Sequence, residues 1–188
     1  MIPRVILILC EGLTEKLYFD SVVRNKRIAR VLSVEVLGKQ GQHKALIKKC
    51  TEKRKNLAEE LGIDEKDIEV WAVCDRDNLK IGYQKLLNYA LKNNVELAFS
   101  DPQFETYLVQ HFEYKRITTK QEQLEADLSA YLGVPYNKAN LDWFDKMIDE
   151  DPAKLNQAVL NSNRLDNHTK PPFLTVQKLT VRLLELSK

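Results

Sequence analysis

Val5-Ile6-Leu7-Ile8-Leu9-Cys10-Glu11-Gly12-Leu13-Thr14-Glu15 is the stretch from which the rest of the chain is read. Its apolar run shows no alternation, as in a parallel strand buried on both faces. Acids and a glycine follow at once, the pattern of a strand that hands over to a helix. The same grammar returns at Ile68-Glu69-Val70-Trp71-Ala72-Val73-Cys74, which runs into Asp75-Arg76-Asp77. Between the two, Thr14 to about Arg30 reads as a helix, with Leu17, Tyr18, Ser21 and Val22 on one side. Val31 to Leu37 is β-rich, and Gly38-Lys39-Gln40-Gly41 is a turn. A helix from about Gln42 to Leu61 turns Leu46, Ile47, Cys50 and Leu57 inward. Gly82 to Lys92 is a further helix, and Val95 to Phe99 a fourth strand. This alternation predicts an α/β fold with a mostly parallel sheet flanked by helices.

After Pro102 the pattern becomes helical. Phe104–Phe112, Gln121–Leu132, Leu141–Ile148, Ala153–Asn161 and Leu174–Leu186 all carry helical spacing. The expected organisation is an α/β core over residues 1–112 and a helical extension over 113–188, packed together as one compact unit.

Composition narrows the class. The chain has 188 residues, 44% of them hydrophobic and 30% charged, which suits a single globular core with a solvated surface. A net charge of +2 neither requires nor excludes a polyanionic partner. No apolar run approaches the roughly 20 residues of a membrane span. Pro3-Arg4 and the short run after it do not form a signal peptide. Cys10, Cys50 and Cys74 lack metal-ligand spacing and read as small buried hydrophobes, so the cytoplasm is the expected compartment.

In open α/β sheets, ligands gather beyond the carboxyl ends of the strands. If the strands ending at Cys10 and Cys74 are neighbours, Glu11, Glu15, Asp75 and Asp77 meet at one sheet edge. Like charges brought together are costly, and a cation is the natural resolution. Mg²⁺ takes hard oxygen ligands, often only one or two carboxylates, and keeps several waters. Asp75 and Asp77 can face one pocket, while Glu11 can ligate or act as general acid/base. Gly12 is expected to permit a tight turn and Thr14 to cap the helix that follows. Taken singly, a strand-end Glu is often a solvated loop acid and DxD occurs by chance. The joint placement is what points to a site.

Cys10-Glu11-Gly12-Leu13-Thr14-Glu15, with Tyr18-Phe19, resembles the opening motif of the RloB-like family, a branch of the Toprim superfamily. Asp75-Arg76-Asp77 is similar to its DRD segment. Ser100-Asp101-Pro102-Gln103-Phe104-Glu105, with His111-Phe112, resembles its third block, in which Asn usually stands where this chain has Asp101. The motif match covers about the first 112 residues. Pro171-Pro172-Phe173-Leu174-Thr175-Val176 keeps only a proline of a later segment, and no site role is carried onto it.

The resemblance implies a Toprim fold binding Mg²⁺, with Mn²⁺ as a substitute, through Glu11, Asp75 and Asp77. It implies a nuclease of a bacterial or archaeal anti-phage, abortive-infection system, with an ABC- or AAA-type ATPase as partner. By comparison with OLD-type nucleases, Glu15, Ser100 and Glu105 would be candidates for a second metal. Self-association of the chain is left open.

Each remaining candidate has a plainer alternative. Glu15 and Glu105 sit in first helical turns, where acids also favour the helix dipole. His111, between Leu108 and Phe112, reads first as a satisfied buried histidine. His43, Lys44 and Arg76 are candidates for phosphate contact. Arg24, Lys26, Arg27 and Arg30, and Lys48, Lys49, Lys53, Arg54 and Lys55, form basic clusters that can track nucleic acid or simply be solvated. A non-cleaving regulatory or assembly subunit is the rival reading. A haloacid-dehalogenase-type phosphotransferase is set aside, because its DxD follows the first strand.

Overall fold

The computed structural model describes residues 5–28, 31–36, 43–77, 79–116, 120–167 and 170–187. Strand β1 (Val5–Cys10) leads to helix α1 (Leu13–Asn25), β2 (Val31–Val36) and α2 (Lys44–Leu61). Then come β3 (Ile68–Asp75), α3 (Tyr83–Lys92) and β4 (Glu96–Asp101). The second half adds α4 (Glu105–Val109), α5 (Gln121–Leu132), α6 (Asp142–Glu150), α7 (Ala153–Asn163), β5 (Phe173–Leu174) and α8 (Gln177–Leu186). The expected Gly38–Gly41 turn lies outside the described residues.

The sheet has the order β2-β1-β3-β4-β5. Its first four strands are parallel, and β5 runs antiparallel to β4. The fold is therefore α/β, consistent with the Toprim-like architecture that the resemblance implied. From β1 the chain moves outward one way to β2, then returns past β1 to β3 and β4. Crossovers of one hand that run in opposite directions must cover opposite faces. α1 accordingly lies on one face and α2 and α3 on the other.

The unbroken apolar strands are explained by this two-sided covering. Ile6, Ile8 and Cys10 face α1 and the C-terminal helices, while Leu7 and Leu9 face α2 and α3. α4 to α8 do not form a core of their own. They share the α1 side, where Tyr18, Phe19, Phe104, Tyr107, Phe144 and Leu183 are buried together. His111 belongs there too: it is fully buried and its Nδ1 lies 3.1 Å from the Leu108 carbonyl, the satisfied buried histidine expected from the sequence.

The structure corrects several boundaries. The helix expected from Leu174 begins only at Gln177, because Phe173–Leu174 pairs with Asp101 and Ser100 as β5. Thr175 completes the closure. Its N–H donates to the Phe99 carbonyl at 2.8 Å, and its Oγ1 accepts from Phe99 N–H at 3.0 Å. α1 ends at Asn25, and the helix expected over Phe104–Phe112 is the short α4. Arg54, expected on a solvated basic face, is buried. It donates to the Asn94 and Asn93 carbonyls at 2.7 and 3.1 Å, closing the end of α3, and pairs with Glu65.

Candidate metal centre

Backbone pairing aligns the acidic residues. Glu11 N–H donates to the Val73 carbonyl at 2.9 Å, extending β1 along β3 by one residue. Asp75 is in register with Ser100, and Arg76 N–H donates to the Ser100 carbonyl at 3.0 Å. The carboxyl ends of β1, β3 and β4 thus lie side by side, and β1/β3 is where the strand order reverses direction. That is the crevice in which α/β sheets place ligands.

A cavity of about 470 Å³ opens there. Glu11, Glu15, Asp75, Asp77 and Glu105 all line it, so acids from both expected motifs and from the first turn of α4 face one space. Ser100 does not line it, although it is buried beside Asp75 and its Oγ has no hydrogen-bond partner among the described residues. Gly12 serves differently from expectation. Its φ of −123° is ordinary extended backbone. What matters is the missing Cβ, which would stand 2.5 Å from a Glu15 carboxylate oxygen. Thr14 does not cap α1 either: it lies within the helix, and its Oγ1 donates to the Lys138 carbonyl at 3.3 Å.

The electrostatics are those of crowded acids. Burial, then the neighbouring Glu105 and Asp77 carboxylates, hold Glu15 up at about 7. Burial, then Glu15, Glu105 and Glu11, raise Asp75 well above the usual carboxylate range, against a hydrogen bond from the Phe104 backbone. Asp75 Oδ1 is buried with no hydrogen-bond partner among the described residues. An oxygen-only donor set whose members destabilise one another's charges suits a hard divalent cation. Among the described residues, no three His, Cys, Asp or Glu side chains are already drawn into one ligand cluster. The acids share the cavity without converging on a point.

The expected phosphate contacts are placed otherwise. His43 is buried and its Nε2 donates to the Asp75 carbonyl at 3.0 Å, so it holds the end of β3 from behind. Lys44 is exposed and lies over the Tyr89 ring, 5.1 Å from its centroid. Arg76 pairs with Asp101 at 2.8 Å while its own side chain stays 56% exposed at the cavity's flank. That pairing accounts for the extra charge at position 101.

Sequence reading missed the contribution of the second half. Lys138, in the loop between α5 and α6, places Nζ 3.3 Å from Glu105 Oε1 and 3.2 Å from Glu125 Oε1. Tyr136 OH donates to Glu105 Oε1 at 3.3 Å. No periodicity or motif marks these loop residues. Their role appears only when the loop is folded over α1 and α4.

A family model described as RloB-like protein matches residues 6–183, so the likeness runs well past the motifs of the first 112 residues and through the helical half. No curated protein and no solved structure gave a match.

Proposed function

The chain belongs to the RloB-like family, and on that premise we propose that it is a Mg²⁺-dependent nuclease that hydrolyses phosphodiesters of DNA or RNA, tRNA included. The observation that carries the reading is the acidic cavity at the carboxyl ends of β1 and β3, with a buried Asp75 oxygen that has no hydrogen-bond partner among the described residues. Asp75 and Asp77 would hold the ion. When bound, Mg²⁺ supplies Lewis-acid polarisation of a phosphate oxygen and makes water more acidic. Glu11, at the adjacent strand end and lining the same cavity, would take the proton from the attacking water and return it to the leaving oxygen. His43 keeps the Asp75 backbone in place through its carbonyl. Arg76, part-exposed beside Asp77, is available to a neighbouring phosphate of the substrate.

The setting in anti-phage defence and the ABC- or AAA-type ATPase partner rest on the family resemblance, and the cytoplasmic location rests on the unpaired pattern of Cys10, Cys50 and Cys74. No helix among the described residues is long and apolar enough to cross a membrane. The test is cleavage of single-stranded DNA, duplex DNA and tRNA in Mg²⁺, with and without the ATPase. Glu11→Gln and Asp75→Asn should each lower the rate by about 10²–10⁴-fold, the usual worth of a proton-transfer or metal-holding group. Undiminished cutting by both variants overturns the assignment.

The second reading is a non-cleaving regulatory or assembly subunit. It is favoured by Lys138, through which the protein already supplies part of its own counter-charge. Binding of Mg²⁺ or nucleic acid without cutting, with or without the ATPase, would select it.

A further inference from the structure

The acids of the cavity are not equally provided with counter-charge. Glu105 Oε1 already receives the Lys138 ammonium and the Tyr136 hydroxyl, each at 3.3 Å. The same ammonium reaches Glu125 at 3.2 Å, and the Lys138 carbonyl is tied to Thr14 on α1. Lys138 is thus held by its backbone and its side chain, over a Glu105 side chain that is only 4% exposed. Asp75 Oδ1, by contrast, is buried without a hydrogen-bond partner among the described residues, and Asp77 faces the same cavity.

From this asymmetry we propose that the cavity binds one divalent ion, held by Glu11, Asp75 and Asp77, and that Lys138 is the resident cation of Glu105 and its neighbour Glu15. The inference rests on the metal reading above and narrows it. A second divalent ion ligated by Glu105 would either share Oε1 with the ammonium and the Tyr136 hydroxyl or take Oε2 of the same, already paired carboxylate. It would also face the ammonium within a few ångströms in a partly buried site, where like charges repel strongly. Admitting it requires Lys138 to leave both Glu105 and Glu125. Lys138 therefore sets the metal stoichiometry rather than merely decorating the rim, and the Glu15/Glu105 pair is not a second metal site while Lys138 is present.

Mn²⁺ binding to the full chain, followed by the electron paramagnetic resonance signal of free Mn²⁺ and without any substrate, tests this directly. Wild type should bind one ion, and so should Glu105→Gln and Lys138→Arg. Lys138→Met should gain a second ion, bound at least tenfold more tightly than any second ion on wild type. Two ions on wild type, with one lost in Glu105→Gln, would overturn the proposal even if Lys138→Met failed to fold. A folded Lys138→Met that still binds one ion would overturn it as well. No Mn²⁺ on any form removes the metal reading and this inference together. A wild type that binds one ion yet cuts nothing leaves the stoichiometry standing and sinks only the nuclease.

Discussion

Two clusters of polar groups, one packed beneath α1 and one at the carboxyl edge of the sheet, have opposite characters. In the first, His111 Nδ1 donates to the Leu108 carbonyl, which leaves Nε2 to accept from the Tyr18 hydroxyl at 3.1 Å. Tyr107 OH donates to Thr180 Oγ1 at 2.7 Å. The groups are neutral, mated and packed ring against ring. In the second cluster, Glu11, Glu15, Asp75, Asp77 and Glu105 crowd one cavity in which, among the described residues, Lys138 is the only basic one. Mated polarity rigidifies a core, whereas crowded charge works against folding. A protein keeps the second arrangement only where some other demand maintains it.

The contrast can be broken first by truncating the mated cluster. Tyr107→Ala should cost about 3–5 kcal/mol, as aromatic deletions in cores do. Urea unfolding measures it. If the variant instead lost only cleavage and kept its stability, the division between the two clusters would fail.

Titration between about pH 4 and 7 sharpens the contrast, because the clusters respond with opposite sign. Burial lowers His111 from 6.5 to about 4, so its contribution is present above 6.5 and lost as pH falls through 4. Glu15 is raised from 4.5 to about 7, so its contribution is present below 4.5 and lost as pH rises through 7. Each should be on the order of 3 kcal/mol in unfolding free energy across its window. Between pH 4.5 and 6.5 the two slopes oppose each other, so His111→Gln should leave a stability that falls as pH rises and Glu15→Gln one that rises with pH. If both substitutions changed the slope in the same direction, the two clusters could not be treated as separate.

The smallest effect expected is that of the ion itself. At a hundred times its dissociation constant, Mg²⁺ should stabilise wild type by about 2.7 kcal/mol. Asp75→Asn should show little of that gain while Tyr107→Phe keeps all of it. An equal gain in all three would mean that the ion binds elsewhere.

What the sequence disclosed follows from the range of its signals. The runs at Val5–Cys10 and Ile68–Cys74 announce buried parallel strands because covering on both faces leaves no polar alternation. The strand-end acids were legible for the same reason, since a charge directly after such a run must lie at the sheet's edge. Phe173–Leu174 was not legible as a strand. Two residues carry no period, and only the free edge of β4 makes them pair. Arg54 looked like its exposed neighbours Lys48, Lys49 and Lys55, and what separates them is the end of α3, which lies close only in the folded chain. Lys138 was hidden in the same way, as one of 29 basic residues. His43 was noticed, but for a phosphate, when its partner is the carbonyl behind Asp75.

The late arrival of β5 has a consequence for the chain during its synthesis. At about 5–20 residues per second, the stretch from Asp101 to Phe173 takes roughly 4 to 14 s to make. Over that interval a nascent chain on the ribosome can already align β1, β3 and β4, yet it holds no strand for the outer side of β4. Bare strand edges recruit other strands. The half-made polypeptide, rather than the finished protein, is thus the form most exposed to sticking to its own copies on a crowded polysome.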